Sequence, residues 1–251
     1  MSTVERTVEG GVGTISLNRP HRHNAVDDEL HDELLRVWDE MQADPAARVL
    51  LLRGNGPSFC SGRDTAQLGE RVAGEGDLAF VRRHQKSRID QLDSPKPVIA
   101  ALRGAVLGGG LEMALAADIR IAASDVAMAF PEIRYGLMSD TGGSGLATIL
   151  AGPSRAKWLL MTGRRIGAEQ ALAWGLVDEV VAPEELDDTA AALAAEIADR
   201  PAEALAMIKA TVDGMWHGQL HAALRAELLA QVALFGGEDY RARKRARTGG
   251  A

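Results

Sequence analysis

The chain has 251 residues, of which 46% are hydrophobic and 25% are charged, a composition typical of a globular protein. Its 28 basic and 35 acidic residues give a formal net charge of −7, and a field of that sign repels a nucleic-acid backbone. We therefore expect no nucleic-acid partner.

The sequence predicts neither a membrane span nor a secretion signal. Its longest uninterrupted apolar run covers residues 190–195, whereas a spanning helix needs roughly 20 apolar residues. The first residues, from Met1 to Arg6, include no apolar signal core. The single cysteine, Cys60, cannot form an intrachain disulfide. We therefore expect a cytoplasmic protein that does not associate with membranes.

The N-terminal pattern predicts a hairpin followed by a helix. Residues 12–18 alternate apolar and polar side chains, which is typical of a half-buried strand, and residues 4–8 are its expected partner. Between residues 27 and 41, apolar side chains recur at helical spacing. Asp27 or Asp28 would cap the first turn of that helix.

Short apolar runs alternate with helical patterns in the middle of the chain. Each run ends in a turn signal, and the runs comprise residues 49–52, 97–102 and 119–122. Buried strands that alternate with amphipathic helices predict an α/β fold with parallel strands. One further strand is expected at 177–181, just before Pro183.

After Pro183 the pattern is helical, with candidate helices at 186–198, 202–215 and 220–235. We therefore divide the chain into a core, residues 1–183, and a helical C-terminal region, residues 184–251. Apolar faces on the last two candidate helices exceed what one core covers, which predicts a subunit interface. Segment 69–77 is rich in glycine and charge, and we expect a mobile loop there.

Residues 104–112 place a run of glycines at the start of a predicted helix. Consecutive glycines let the backbone approach a ligand closely, and a helix N-terminus offers free N–H groups to negative charge. Gly108, Gly109 and Gly110 therefore form a candidate oxyanion site. The alternative is that these glycines only let the helix pack closely on a strand. No phosphate-loop lysine follows them, which disfavours nucleotide hydrolysis.

Three acidic residues are candidates for acid–base chemistry, and two of them stand in apolar surroundings. Glu112 lies in the first turn of the predicted helix, and Glu132 follows Pro131 and the apolar residues 126–130. Burial raises the pKa of a carboxyl group toward neutrality, as acid–base catalysis requires. The alternative for Glu112 is a favourable charge at a helix start. Asp140 is the third candidate, and its alternative role is to cap the helix that begins near Thr141.

Segment 58–64 offers further backbone N–H groups, because Gly62 predicts a turn there. The same segment contains Cys60, but no histidine lies in a context that suggests a general base. We therefore expect Cys60 to be a small core residue and not a nucleophile. Histidine, cysteine and carboxylate side chains show no zinc-ligand spacing, so we predict no metal site.

Four segments, in chain order, resemble motifs of the enoyl-CoA hydratase/isomerase (crotonase) superfamily. Residues 18–25, NRPHRHNA, resemble the entry motif of the family, and residues 59–64, FCSGRD, resemble its F-x-A-G-x-D loop. Residues 104–112, GAVLGGGLE, resemble its glycine-rich motif, and the fourth segment consists of FPEI at 130–133 followed by Gly142 and Gly143. The resemblance covers nearly the whole chain.

This resemblance implies a spiral of ββα repeats, a helical trimerisation region, and assembly as a trimer or a dimer of trimers. The substrate would be an acyl thioester of coenzyme A, in fatty-acid metabolism, with no metal or redox cofactor. The N–H groups of Ser61 and Gly109 would form the oxyanion hole. Contacts to coenzyme A are implied for Arg22, Asn24, Ala25, Arg63, Asp64 and Gly108.

By the same resemblance the chain is an enoyl-CoA hydratase, in which Glu112 activates water for attack at C3 and Glu132 exchanges the proton at C2. One departure leaves an alternative open. Asp140 replaces a glycine of the hydratase pattern, and an aspartate there resembles the dienoyl-CoA isomerases, in which it acts with the residue matching Glu132. A non-catalytic acyl-CoA binder is a second alternative, although a binder gains nothing from two buried carboxylates.

The basic tail, residues 240–247, also departs from the family pattern. Family members commonly carry an aromatic residue and a lysine there, which close over the coenzyme A of a neighbouring subunit. In this chain the tail either contacts the 3′-phosphate of coenzyme A or ends a helix in solvent, where cations are favourable. The sequence leaves both alternatives open.

Overall fold

The computed structural model describes residues 2–248. Its nine strands are β1 Val4–Glu9, β2 Val12–Leu17, β3 Val49–Gly54, β4 Val98–Leu102, β5 Ala105–Leu107, β6 Ile119–Ala123, β7 Ala127–Ala129, β8 Ile166–Gly167 and β9 Glu179–Val181. Six of them form one sheet, in the order β1-β2-β3-β4-β6-β9, and the other three form a smaller sheet, in the order β5-β7-β8. In the larger sheet β1 and β2 form the predicted antiparallel hairpin, and the other pairs are parallel. The predicted α/β fold with parallel strands is confirmed.

Within residues 2–248, ten α-helices connect or cover these strands. They are α1 Asp28–Ala43, α2 Asp77–Leu92, α3 Gly109–Leu115, α4 Gly143–Ala151, α5 Pro153–Thr162, α6 Ala168–Ala173, α7 Leu186–Ala198, α8 Ala202–Asp213, α9 His217–Phe235 and α10 Glu238–Thr248. The side chain of Asp27 accepts a hydrogen bond from the N–H of Leu30 at 2.9 Å. Asp27 is therefore the N-cap of α1, and it is one of the two residues predicted for this role.

Two strands of the larger sheet lead through tight turns into the smaller sheet. Gly104 joins β4 to β5, and a Cβ at this position would collide with the carbonyl oxygen of Pro57. Its φ of +52° also favours glycine. Helix α3 begins soon after β5, and the 3-10 turn Pro131–Tyr135 begins soon after β7. Because β5 and β7 are adjacent parallel strands, the residues that follow them lie side by side.

The larger sheet is buried on both faces, which explains why β3 and β4 are apolar without alternation. On one face, Leu50, Leu52 and their neighbours pack against α1 and α3. On the other face, Val49, Leu51 and their neighbours pack against the leucine and alanines of α7. The small alanine side chains let α7 lie close to the strands. Helix α7 follows the predicted boundary at residue 183, yet it packs on the sheet of the core region.

The two apolar faces predicted for the last helices differ in the structure. On α9, Leu224, Leu228 and Phe235 are buried within the chain itself, so this face needs no partner subunit, and that part of the expectation was wrong. Helix α8 has no buried residue, and Ile208 and Val212 on it are exposed. Met215, just beyond α8, is 82% exposed. Within residues 2–248, no helix has the length and apolar character needed to cross a bilayer.

Candidate active site

The two predicted N–H segments lie next to each other because a parallel β-bridge joins Cys60 to Val106 of β5. The N–H of Cys60 donates to the carbonyl of Ala105 at 3.1 Å, and the N–H of Leu107 donates to the carbonyl of Cys60 at 2.9 Å. A Cβ at Gly110 would collide with Cys60. This glycine therefore allows the start of α3 to approach segment 58–64.

The two amides predicted for the oxyanion hole differ in their hydrogen bonding. Gly109 is the first residue of α3, where an N–H has no carbonyl one turn before it in the helix. The N–H of Ser61 donates to the carbonyl of His23 at 3.0 Å. An oxyanion placed at Gly109 would have to share or displace this hydrogen bond, so the role of Ser61 stays a prediction.

Glu112 is 2% exposed and holds the N-terminus of helix α4. Its Oε1 accepts hydrogen bonds from the N–H groups of Thr141 at 2.9 Å and Gly143 at 3.1 Å, and its Oε2 accepts from the hydroxyl of Thr141 at 2.7 Å. The helix N-terminus and three donors stabilise negative charge on this carboxylate. Glu112 lies in the first turn of α3, as predicted.

A second buried carboxylate, Glu227 on α9, holds the same helix end and was missed by the sequence reasoning. It accepts hydrogen bonds from the N–H groups of Gly142 and Ser144, both at 2.7 Å. Burial and, next, the charge of Glu112 raise the pKa of Glu227 to about 8. Nothing near residue 227 in the sequence signals this role, because its partners are more than 80 positions away.

Glu132 lies on the 3-10 turn after β7 and faces the start of α3. A Cβ at Gly108 would collide with its Oε1, and Gly108 has φ +52°. The Oε2 of Glu132 is buried and has no hydrogen-bond partner within the described residues. Burial and, next, the charge of Glu112 raise the pKa of Glu132 well above its ordinary value. A raised pKa favours the protonated form, so Glu132 is a candidate acid that faces the glycine segment.

Asp140 lines the same cleft but does not cap a helix. Burial and then the charge of Glu112 raise its pKa to about 7, although a hydrogen bond from Gln231 opposes that rise. The first N–H groups of α4 are taken by Glu112 and Glu227. The alternative that Asp140 caps this helix is therefore wrong, because its neighbours in space occupy the donors.

The cleft contains about 830 Å³ of empty space, part of it open to solvent. Five predicted site residues line it: Arg63, Gly109, Glu112, Glu132 and Asp140. Its walls also include apolar residues that no motif indicated, namely Leu68, Phe80, Leu137, Met138 and Phe235. The arrangement combines a long apolar surface with carboxylates at one point, which suits an acyl chain next to a reacting centre.

Several residues that were predicted to contact coenzyme A form contacts within the chain itself. Asn24 is fully buried, and its amide donates to the carbonyls of Asn55, Ser58 and Phe59. Ala25 is also buried. Asp64 forms an ion pair with Arg19 at 3.3 Å. Arg22 is exposed, whereas Arg63 reaches the cleft and pairs with Asp28 at 2.8 Å.

Cys60 is fully buried, and this burial raises the pKa of its thiol to about 11. A thiol that holds its proton so strongly is a poor nucleophile. The location agrees with the expected core role of this residue.

The basic tail forms α10 and packs on the chain's own cleft rim. Lys244 donates to the carbonyl of Gly69 at 3.1 Å, and Arg247 donates to the carbonyl of Leu68 at 2.6 Å. Tyr240 is buried. These contacts differ from the alternative of a helix end in solvent, because two of the cations bind backbone carbonyls at the start of the predicted loop, at residues 68 and 69.

Comparison with known proteins agrees with this geometry. The sequence profile described as enoyl-CoA hydratase/isomerase matches residues 7–246. The chain is 37% identical over 237 residues to 1,2-epoxyphenylacetyl-CoA isomerase of Escherichia coli, covering 93% of this chain and 90% of that protein. It is 36% identical over 228 residues to a probable enoyl-CoA hydratase of Mycobacterium tuberculosis, covering 90% and 86%.

A crystal structure of an enoyl-CoA hydratase/isomerase from Xanthobacter autotrophicus is also similar to this structure. It superposes with a TM-score of 0.91 at 31% sequence identity, and the match covers 99% of this chain and 94% of the other. The implied crotonase fold is thereby confirmed. Both the sequence and the fold show that the chain belongs to the enoyl-CoA hydratase/isomerase family.

Proposed function

We propose that the protein is an enoyl-CoA hydratase that adds water reversibly across the 2,3 double bond of a 2-enoyl-CoA. One observation carries the proposal: two buried carboxyl groups with different surroundings lie beside the glycines that begin α3. Glu112 accepts hydrogen bonds from three donors, whereas the Oε2 of Glu132 has no partner within the described residues and burial raises the pKa of Glu132. Hydration needs a base for water and an acid for C2, and this pair supplies both.

The hydrogen bonds of Glu112 leave room for a water molecule. A carboxylate offers about four lone-pair sites, and Thr141 and Gly143 occupy three of them. The fourth belongs to Oε2, which lies 3.8 Å from the position that a Cβ on Gly109 would take. A water bound there would be activated next to the thioester carbonyl.

The proposed reaction proceeds with the thioester oxygen at the N–H of Gly109, joined by that of Ser61. Glu112 takes a proton from the water, whose oxygen bonds to C3, and the electron pair of the double bond moves toward the thioester. C2 then takes the proton of Glu132. The two amides stabilise the negative charge that develops on the oxygen, and such donors typically contribute a few kcal/mol each. After turnover, the proton that Glu112 took from water moves to Glu132, which restores both carboxyl groups to their starting forms.

Crotonyl-CoA tests this proposal through the loss of conjugated thioester absorbance. We expect turnover by the wild type and a loss of roughly 10²-fold or more in Glu132→Gln, because an amide has no proton to give. This variant should fold, since the Oε2 of Glu132 has no partner to lose. Tight acyl-CoA binding without turnover in the wild type would instead indicate a non-catalytic binder.

Double-bond isomerisation is the second candidate, and Asp140 favours it. A carboxyl group whose pKa lies near 7 can both take and give a proton at neutral pH. Asp140 and Glu132 line the same cleft, so they would move a proton along an acyl chain without activated water. The similarity to 1,2-epoxyphenylacetyl-CoA isomerase supports an isomerase only in the general sense, because that name describes an epoxide substrate.

We further propose assembly as a trimer or a dimer of trimers through the face of α8. This helix has no buried residue within the chain, and Met207, Ile208 and Val212 are exposed along it. Exposed apolar side chains that lie together on one helix are typical of a subunit interface. The coenzyme A contacts of Arg22, Arg63 and Gly108 are proposed on the same family basis.

A further inference from the structure

A cluster of three potential metal ligands lies outside the cleft, where α2 ends and α9 begins. Asp93 is the residue directly after α2, His217 is the first residue of α9, and His221 lies one turn later. Their ligand atoms lie close together, and all three side chains are at least partly exposed. None of these residues takes part in the proposed hydration.

We propose that Asp93, His217 and His221 bind one zinc ion. Two histidines at positions i and i+4 lie on one face of a helix and are a recurrent zinc-binding pair. Two imidazoles and one carboxylate are a ligand set that zinc accepts, with a fourth position left for water. The proposal departs from the expectation of no metal site. That expectation overlooked the i, i+4 spacing of His217 and His221, and the sequence could not show the third ligand, because Asp93 is 124 positions away from His217.

The distances between the ligand atoms fit a single ion. The Nε2 of His217 lies 2.9 Å from the Oδ1 of Asp93 and 3.1 Å from the Nε2 of His221. The third side of this triangle, from His221 to Asp93, is 3.9 Å. Ligands about 2.0–2.1 Å from a tetrahedral ion are about 3.3 Å apart. The three observed distances lie on both sides of that value, so small side-chain rotations place an ion at equal distance from all three.

Hydrogen bonds alone cannot pair all three ligand atoms, the two Nε2 atoms and the Oδ1 of Asp93, whereas a metal ion can bind them all. The Nε2 of His217 is within hydrogen-bond distance of both the carboxylate and the other imidazole, yet it carries at most one proton. If that proton points to Asp93, the facing Nε2 of His221 has to be unprotonated. If both nitrogens carry protons, two N–H groups face each other at 3.1 Å. A zinc ion accepts all three lone pairs at once.

The charges around the triangle are mixed. A cation next to His217 meets the positive end of α9, which disfavours it, but Asp93 and the negative end of α2 favour it. Asp213, at the end of α8, is a further acidic neighbour, because it interacts electrostatically with His217. The nearby Lys209 is neutralised by Asp118 at 2.7 Å. The site therefore has one carboxylate ligand, Asp93, and a second carboxylate, Asp213, whose charge favours a divalent cation nearby.

Zinc at this site would join α2 to α9, the two helices that flank the cleft. Helix α2 contributes Phe80 and Arg88 to the cleft, and α9 contributes Gln231 and Phe235. The side chain of Gln85 on α2 already links the helices by donating to the carbonyl of Leu224 at 2.8 Å. A metal link at the other end of the contact would stabilise the folded chain by preferential binding to it.

The test is zinc titration of the full chain after treatment with a chelator, by calorimetry and by thermal unfolding. We expect one zinc ion per chain and a rise in Tm of at least roughly 4 °C at saturation. His221→Gln should weaken zinc binding at least tenfold, because it removes one ligand and leaves the bond between His217 and Asp93 intact. Asp93→Asn should weaken it as well.

His21→Gln is the matched control, because His21 is an exposed histidine on a different surface turn. It should bind zinc like the wild type. No zinc uptake by the wild type, or equal uptake by His221→Gln and Asp93→Asn, would overturn the proposal. Circular dichroism of each variant shows whether a loss of binding comes from unfolding. The outcome does not depend on hydratase activity, which is measured separately.

Discussion

Glu112 and Glu227 hold one helix end from two sides. Glu112, on α3, accepts from Thr141 and Gly143, whereas Glu227, on α9, accepts from the two alternate residues, Gly142 and Ser144. Successive N–H groups at the start of α4 thus bind different carboxylates. The positive end of this helix lowers the cost of placing two acids so close together.

Glu112→Gln should reduce crotonyl-CoA hydration by several orders of magnitude, about 10²–10⁴-fold. The amide keeps the shape of the side chain but cannot take a proton from water. It also turns an NH₂ group toward donors that now bind a carboxylate, so some stability should be lost as well. Steady-state kinetics at a temperature well below the measured Tm separates the two effects. Full activity in the folded variant would remove Glu112 from the reaction.

Gly109→Val should reduce kcat at least roughly 100-fold while the protein still folds. The nearest atom to a Cβ at this position is the Oε2 of Glu112 at 3.8 Å, so the new side chain enters the cleft and not the core. There it would block both the thioester and the amide. Gly167→Ala is the control, because a Cβ at Gly167 meets nothing within 4 Å. An unchanged kcat would show that the thioester binds elsewhere.

Asp140→Asn distinguishes the two candidate reactions. If the protein is a hydratase, the variant should lose only about tenfold in crotonyl-CoA turnover, because Glu112 and Glu132 carry the chemistry. If it is an isomerase, a 3,5-dienoyl-CoA should be turned over by the wild type and not by the variant. Both substrates should be tested after acyl-CoA binding has been verified. Lost dienoyl-CoA turnover combined with weak hydration in the wild type would favour the isomerase.

The same variant should change how stability depends on pH. The pKa of Asp140 is raised from 3.8 to about 7 in the folded chain, so folding favours its protonated form. Its contribution to the free energy of unfolding is present at low pH and is lost as the pH rises toward 7. Asparagine does not titrate, so the Tm of Asp140→Asn relative to the wild type should increase between about pH 4.5 and 7.5. Parallel Tm curves would contradict the raised pKa.

Solution scattering should give a mass of about three or six times the 26.7 kDa of one chain. Ile208→Asp should lower that mass, because it puts a charge on the exposed apolar face of α8. Lys157→Asp, a charge change on helix α5, is a control for the effect of an added carboxylate. A wild-type monomer in solution would exclude the proposed assembly.

Local patterns predicted the parts of the fold that depend on one segment. The alternation in 12–18 predicted β2, and Asp27 was one of two candidate caps because its partner is three residues away. Glu112 and Glu132 were found because each is an acidic residue in an apolar stretch of the sequence, beside a glycine run or a proline. In such cases the physical cause and the sequence signal occupy the same few residues.

Features that depend on distant segments left no such signal. Glu227 is recognised only by its contact with α4, and Gln231 only by its bond with Asp140. Helix α2 was not predicted because it buries Gln85, Arg88 and Gln91, so it has no clear apolar stripe. Strands β5, β7 and β8 have only two or three residues, too few for a period to be seen.

Chemical labelling of Cys60 can measure how often segment 58–64 separates from β5. Cys60 is the only cysteine of the chain, and it is sealed under the pairing of segment 58–64 with β5. A thiol-specific reagent can therefore reach it only when that pairing opens. The labelling rate reports how often the two oxyanion segments separate, and a bound acyl-CoA that bridges them should slow the labelling. Cys60 takes no part in the proposed chemistry, but its labelling rate measures how often the segments that form the oxyanion hole come apart.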